Sequence, residues 1–123
     1  MKLTNNEIYN YVLALNEAFV DNTQRLPMKV NFYLQKNKKT LMELAQDIEA
    51  SRMEIVQNYG QLNEDGSQYI ISKENIQDAQ KELNDLFNLE QEVCIYKINA
   101  ENLPDDISLT TGQMEAIMFM IDE

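Results

Sequence analysis

The chain has 123 residues, enough for one domain with its own core, and carries 21 acidic against 10 basic side chains, a net charge of −11. With no histidine and the single cysteine Cys94, it cannot assemble a tetrahedral zinc site, a histidine-based nucleophilic triad or an internal disulfide, and Gly60, Gly66 and Gly112 are too scattered for a phosphate-cradling loop. The acidity argues against direct contact with nucleic acid or an anionic membrane, while the 44% hydrophobic content sets the chain apart from an acidic disordered tail.

Thr4 followed by Glu7 is a capping box opening a first helix with apolar residues Ile8, Tyr11, Val12, Leu15, Ala18 and Phe19, expected to run to about Asp21. The polar stretch 21–25 breaks the period, and Pro27 fits the first turn of a second helix over about 28–59. Leu34, Leu41, Ile48 and Ile55 recur every seven residues there, with Val30, Leu44, Ala45 and Tyr59 on the same side. The helix is a rod of roughly 50 Å at 1.5 Å per residue, and Gly60 is placed for a left-handed C-terminal cap. Asn37, Ser51 and Asn58 interrupt the second heptad position, which favours packing within the chain over a dimer seam; monomer and homodimer both stay open.

Beyond Gly60, Asp65-Gly66 marks a turn. A calcium loop centred on Gly66 fails, because Gln61 and Ser72 fall where the first ligand and the bidentate glutamate belong. Residues 69–71 read as a short strand, Ser72 as the cap of a third helix with Ile76, Ala79, Leu83, Leu86 and Phe87 inward, and residues 92–98 as the strand that pairs with 69–71. Cys94 lies in that apolar run and is expected to be a buried, inert thiol. A turn around residues 102–106 and a second capping box, Thr110 with Gln113, lead into a closing helix. In it Met114, Ile117, Met118 and Ile121 are assigned to the core, and Phe119 and Met120 to a face pointing elsewhere, available to another chain. The expected fold is α+β, mainly α: three to four helices, one long, with a small two-stranded sheet. It forms one domain over residues 1–123, a helical hairpin at 5–59 joined to an acidic half at 61–123.

Charge divides along the same boundary. Residues 1–60 hold seven bases and seven acids, whereas residues 61–123 hold three lysines against fourteen acids, the whole excess. Glu74, Asp78, Glu82 and Asp85 are spaced to stack on one helix face, where like-charge neighbours each cost roughly 0.2–0.5 kcal/mol, and Glu90, Glu92, Glu101, Asp105 and Asp106 extend the field. Three readings stand at this level. The row is the solvated side of an amphipathic helix; or it imitates phosphates and occupies a nucleic-acid-binding groove; or Lys36, Lys38 and Lys39 neutralise it internally. No spacing of residues assigns a catalytic group, a cofactor or a metal. No stretch reaches the roughly 18 apolar residues of a membrane span, and the first residues lack the apolar core of a secretory signal, so a soluble intracellular protein is expected.

Residues 1–8, the segment Leu26-Pro27-Met28-Lys29-Val30 running into Leu34-Gln35-Lys36-Asn37, the step Ile48-Glu49-x-x-Arg52, and the ending 109–117 resemble a family of small uncharacterised proteins of tailed phages and prophages of Gram-positive bacteria. The resemblance spans nearly the whole chain and carries no catalytic signature. It implies a phage-encoded protein acting in the bacterial host cytoplasm or in particle assembly. Two non-enzymatic roles follow from that context. One is an acidic, DNA-mimicking inhibitor of a basic nucleic-acid-binding protein or nuclease of the host, as an anti-CRISPR would be. The other is a virion or assembly accessory that binds another phage protein. The candidate partner-binding residues are Glu74, Asp78, Glu82, Asp85, Phe119 and Met120.

Overall fold

Both capping boxes form. Glu7 N donates to Thr4 Oγ1 (3.1 Å) and Thr4 N to Glu7 Oε1 (3.0 Å), starting helix α1, Asn5–Ala18. The same reciprocal pair at Thr110 and Gln113 starts α4, Thr111–Ile117. Between them lie the long helix α2, Met28–Tyr59, and α3, Ile76–Asn88. The computed structural model describes residues 1–19, 26–103 and 109–122, so the end expected for the first helix near Asp21, the polar break at 21–25 and the turn residues Pro104, Asp105 and Asp106 lie outside the described residues. The architecture is mainly helical with small two-stranded sheets.

α2 has 32 residues and spans about 48 Å at 1.5 Å per residue. Pro27 flanks rather than opens it, its carbonyl accepting the first helical bond from Asn31 N at 2.9 Å. α1 runs antiparallel to it, with Tyr9 reaching Glu49 and Leu15 lining the same small cavity as Leu34. Leu34, Leu41 and Ile48 are buried as the seven-residue repeat requires, and Ile55 is half-buried where α2 outruns α1.

The strand pairing differs from expectation. Residues 69–71 pair not with 92–98 but with the segment just before them: β2, Gly60–Leu62, and β3, Tyr69–Ile71, form an antiparallel hairpin closed by Gly66 at φ +75°. Local closure through a short loop outcompetes the distant partner on chain entropy. Gly60 is accordingly extended (φ −110°, ψ 169°) and not a left-handed cap; a side chain there would put its Cβ 2.7 Å from the Val56 carbonyl oxygen.

The run 92–98 is used at its two ends. β4, Glu90–Glu92, pairs antiparallel with β1, Lys2–Thr4. β5, Ile98–Asn99, pairs parallel with β6, Ile121–Asp122. Residues 93–97 between them belong to no ladder, yet the backbone of Tyr96 is satisfied: Asn37 Nδ2 donates to Tyr96 O and Tyr96 N donates to Asn37 Oδ1, both at 2.8 Å. Asn37 is fully buried, the same residue whose polarity had counted against the heptad. Alternation along this stretch buries Val93 and half-buries Ile95 while turning Cys94 and Tyr96 outward. Cys94 is therefore exposed, contrary to expectation: the period of an extended chain overrides the hydrophobicity of its neighbours.

Two further buried amides hold the ends together. Asn5 donates from N to Leu89 O (2.9 Å) and from Nδ2 to Leu86 O (2.7 Å), and accepts from Gln91 Nε2 (2.6 Å), tying the start of α1 to the end of α3 and to β4. Gln113 donates to Ala18 O at 3.0 Å and seats α4 on α1. Every buried side-chain nitrogen and oxygen among the described residues has a partner. The core is one cluster drawn from both halves, including Leu3, Ile8, Leu15, Leu34, Leu41, Ile98 and Ile117.

Asn37→Leu fills similar space but leaves the Tyr96 N–H and C=O without partners, each costing about 1–3 kcal/mol. It is expected to lower unfolding stability by about 2–4 kcal/mol, read as a fall in the urea midpoint at unchanged slope. A midpoint equal to that of the natural chain would show that the clamp is dispensable.

Candidate functional site

The acidic row assembles in part. Asp78, Glu82 and Asp85 lie on the exposed side of α3, opposite buried Ala79 and half-buried Leu83 and Leu86. Glu74 is exposed but precedes the helix. Ser72 does not cap it: Asn75 N donates to Ser72 O at 3.1 Å, closing a turn, and α3 starts at Ile76 with Asn75 as the flanking residue. The row is thus three carboxylates on a helix with a fourth in the turn that leads to it.

α3 begins beside the C-terminal end of α2, where Asn75 Nδ2 donates to Tyr59 O (3.4 Å). Glu82 next to its hydroxyl, then burial, then the charges of Glu82 and Asp78 raise the Tyr59 pKa above its ordinary value. Along α2, Lys36, Lys38 and Lys39 are about six turns from Tyr59. Among the described residues the ion pairs are Met1 α-amino to Glu92 (3.2 Å), Lys2 to Glu90 (3.7 Å) and Arg52 to Glu49 (2.5 Å). None joins those three lysines to the row, so internal neutralisation, one of the three readings, is set aside.

The closing segment also departs from expectation. α4 ends at Ile117, and Met118–Met120 tightens into a 3₁₀ turn. With three residues per turn, Met120 eclipses Ile117 and enters the core with 0% exposure, while Met118 swings out to 48%. Met120 is therefore a core residue and not part of a partner surface. Phe119 is half-buried and stacked on Tyr11 at 4.6 Å between ring centroids.

Two clusters escaped the sequence reading. In the first, Tyr9 donates its hydroxyl to Glu49 Oε2, which also accepts from Arg52 Nε (2.9 Å), while Arg52 Nη2 donates to Glu49 Oε1 (2.5 Å). These bonds, from Arg52 first and then Tyr9, hold the Glu49 carboxyl down to about 2. Burial and the Glu49 carboxylate push the Tyr9 hydroxyl up to about 12. The Glu-x-x-Arg spacing was visible, but Tyr9 lies forty positions from its acceptor with no local signal.

The second cluster lies at the opposite end of α2 from the acidic row. Lys29 sits over the Tyr33 ring (5.7 Å) and Lys36 over the Phe32 ring (5.5 Å), both at helical i,i+4 spacing. Tyr33 packs between Phe32 (6.2 Å) and Tyr96 (5.4 Å). Phe32 is 54% exposed, Tyr96 45% and Met28 87%. Exposed cation–π pairs contribute about 0.5–1 kcal/mol each, too little to account for aromatic rings left in water.

A cleft of about 420 Å³ between the hairpin and the start of α3 shares Tyr59 with the acidic row and is lined by neutral side chains such as Asn58, Ser72 and Asn75. Among the described residues no group of three or more His, Cys, Asp or Glu side chains could hold a metal ion, and no helix is long and apolar enough to cross a membrane. No family model, no curated protein and no solved structure matches this chain.

The Tyr9–Glu49–Arg52 cluster makes stability depend on pH in a defined direction. Glu49, ordinarily near 4.5 and held near 2, favours the folded chain above pH 4.5, and that contribution is lost as pH falls towards 2. Tyr9, raised from 10.0 to about 12, favours the folded chain below pH 10, with loss as pH rises towards 12. Urea unfolding across pH is expected to show Glu49→Gln flattening the acid limb and Tyr9→Phe the alkaline limb. Limbs unchanged in both variants would place the pH dependence elsewhere.

Proposed function

We propose that this chain is a non-enzymatic, phage-encoded interaction protein. Its acidic half binds a basic nucleic-acid-binding protein or nuclease in the cytoplasm of a bacterial host and blocks it, as a DNA mimic of the anti-CRISPR kind does. The observation that carries this reading is the exposed row Asp78, Glu82 and Asp85, with Glu74 in the turn before it, joined to no cation by an ion pair among the described residues. Along a helix, spacings of four and three residues set carboxylates about 6 and 4.5 Å apart. That is the same order as the phosphate rise of a nucleic-acid strand, about 3.4 Å. A groove rich in lysine and arginine would accept the row in place of a backbone.

A second reading, an accessory of virion assembly that binds other phage subunits, rests on a different surface. Exposed Met28, Phe32, Tyr96 and Met118 offer apolar contact area that an electrostatic mimic does not use. The residues first assigned to that role, Phe119 and Met120, are half-buried and buried.

The charge row separates the two. A variant with Glu74→Gln, Asp78→Asn, Glu82→Gln and Asp85→Asn keeps the fold, since all four side chains are exposed. Proteins retained by the immobilised natural chain from a lysate of a Gram-positive host are expected to bind duplex DNA, to release it when the chain is added, and to elute with salt. The variant is expected to lose this retention, with a salt slope shallower by about one per phosphate-like contact removed. Retention that survives both neutralisation and high salt excludes the mimic and favours the apolar surface.

A further inference from the structure

We infer that the aromatic–lysine face of α2 is a docking surface for a second copy of this chain, which covers it with the acidic row of its own α3. Three rings, Phe32, Tyr33 and Tyr96, cluster at one end of α2, with Lys29 and Lys36 laid over two of them and exposed Met28 one turn before Phe32. Lysines held flat on aromatic rings keep their ammonium groups at the rim of the apolar patch, the arrangement of an interface with an apolar centre and a charged edge. The occupant is set by charge. The rim is cationic, so the covering surface is anionic, and this molecule itself presents three carboxylates on an exposed helix face, Asp78, Glu82 and Asp85, that make no ion pair among the described residues.

Position closes the arrangement. The turn that leads into the row is tied to the C-terminal end of α2, Asn75 Nδ2 donating to Tyr59 O at 3.4 Å, and the aromatic face lies near the N-terminal end of α2, with Phe32 about 40 Å from Tyr59 at 1.5 Å per residue. Two copies related by a two-fold axis across the middle of α2, with the helices antiparallel, bring each lysine–aromatic end against the other copy's acidic end. The contact is made twice and no complementary surface is left over, so the pair is closed and does not grow into a filament. The face and the row are too far apart to meet within one molecule. The row cannot serve the basic partner and the second copy at once, so pairing stores the row until a partner displaces it; the pairing itself does not depend on that partner.

The test uses the purified full chain alone, so its outcome is independent of whether a host partner exists. Sedimentation equilibrium at low ionic strength is expected to give twice the 14.4 kDa chain mass, returning to the single mass as salt rises. The variant Lys29→Glu, Lys36→Glu and the variant Asp78→Lys, Glu82→Lys, Asp85→Lys are each expected to be monomeric under the low-salt conditions. Mixed in equal amounts they are expected to restore the doubled mass, since both contacts of the mixed pair again join opposite charges. Phe32→Ser, which removes the apolar centre and leaves the charges, is expected to weaken pairing at least tenfold. Circular dichroism of each variant shows that it is folded. A natural chain that is monomeric at low salt overturns the proposal. So does pairing that persists in either charge variant, or a mixture that stays monomeric. A monomer whose aromatic face instead binds a single-stranded oligonucleotide overturns it in favour of a stacking platform.

Discussion

One buried amide organises this molecule. Asn37 sits on α2's inward face, within its N-terminal third, and offers the Tyr96 backbone the donor and the acceptor that a neighbouring strand would otherwise supply. An extended segment crossing a helix normally leaves its peptide groups unpaired against side chains, at a cost of about 1–3 kcal/mol each. Here one residue removes that cost for both groups and fixes where along α2 the crossing occurs. Everything on either side follows: β4 reaches back to β1, β5 meets β6, and Met120 is brought within 3.6 Å of the Asn37 amide.

The same crossing sorts the charge. Residues 76–88 are held against the overhanging end of α2, while residues 93–97 are held against its other half. The lysines of α2 and the carboxylates of α3 thus end up several turns apart, beyond the screening length of about 8–10 Å at physiological salt. Within one molecule they do not neutralise one another. Each end keeps a surface of definite sign, and the proposed function rests on these surfaces.

Much of the helical framework was legible in the sequence because its signals are local. Capping boxes act over three residues, and the inward faces of α1, α2 and α3 follow from a period of 3.6, except that Ile76, expected inward, is 42% exposed at the start of α3. The errors share a cause too. The strand at 92–98 was recognised from its composition, but pairing is a long-range choice: β1 for one end and β6 for the other, neither marked by any property of residues 92–98 themselves. Ser72 carried the right side chain for a cap, yet a turn ending at Asn75 moved the helix start by several residues and took Glu74 out of the row. Met118 and Met120 exchanged places because a helical period was carried across the point where the backbone tightens to three residues per turn. Of the candidate site, the three carboxylates of α3 were read from the spacing; the lysine–aromatic pairs carry an i,i+4 signal in the sequence but were not read from it. Tyr9 with Glu49, and Tyr96 beside Tyr33, were not readable there, since their partners lie on other elements.

By itself, then, the sequence determined the helices, the long rod, the exposed acidic row and the division of charge between the halves, because propensity, capping and amphipathic period depend only on near neighbours. The tertiary structure alone decided which strands pair, that Asn37 belongs in the core, that Cys94 and Met118 face water and Met120 does not, and that the two charged surfaces stand at opposite ends of α2. Those outcomes depend on which distant backbone groups must be satisfied once the core closes, and no local pattern carries that information.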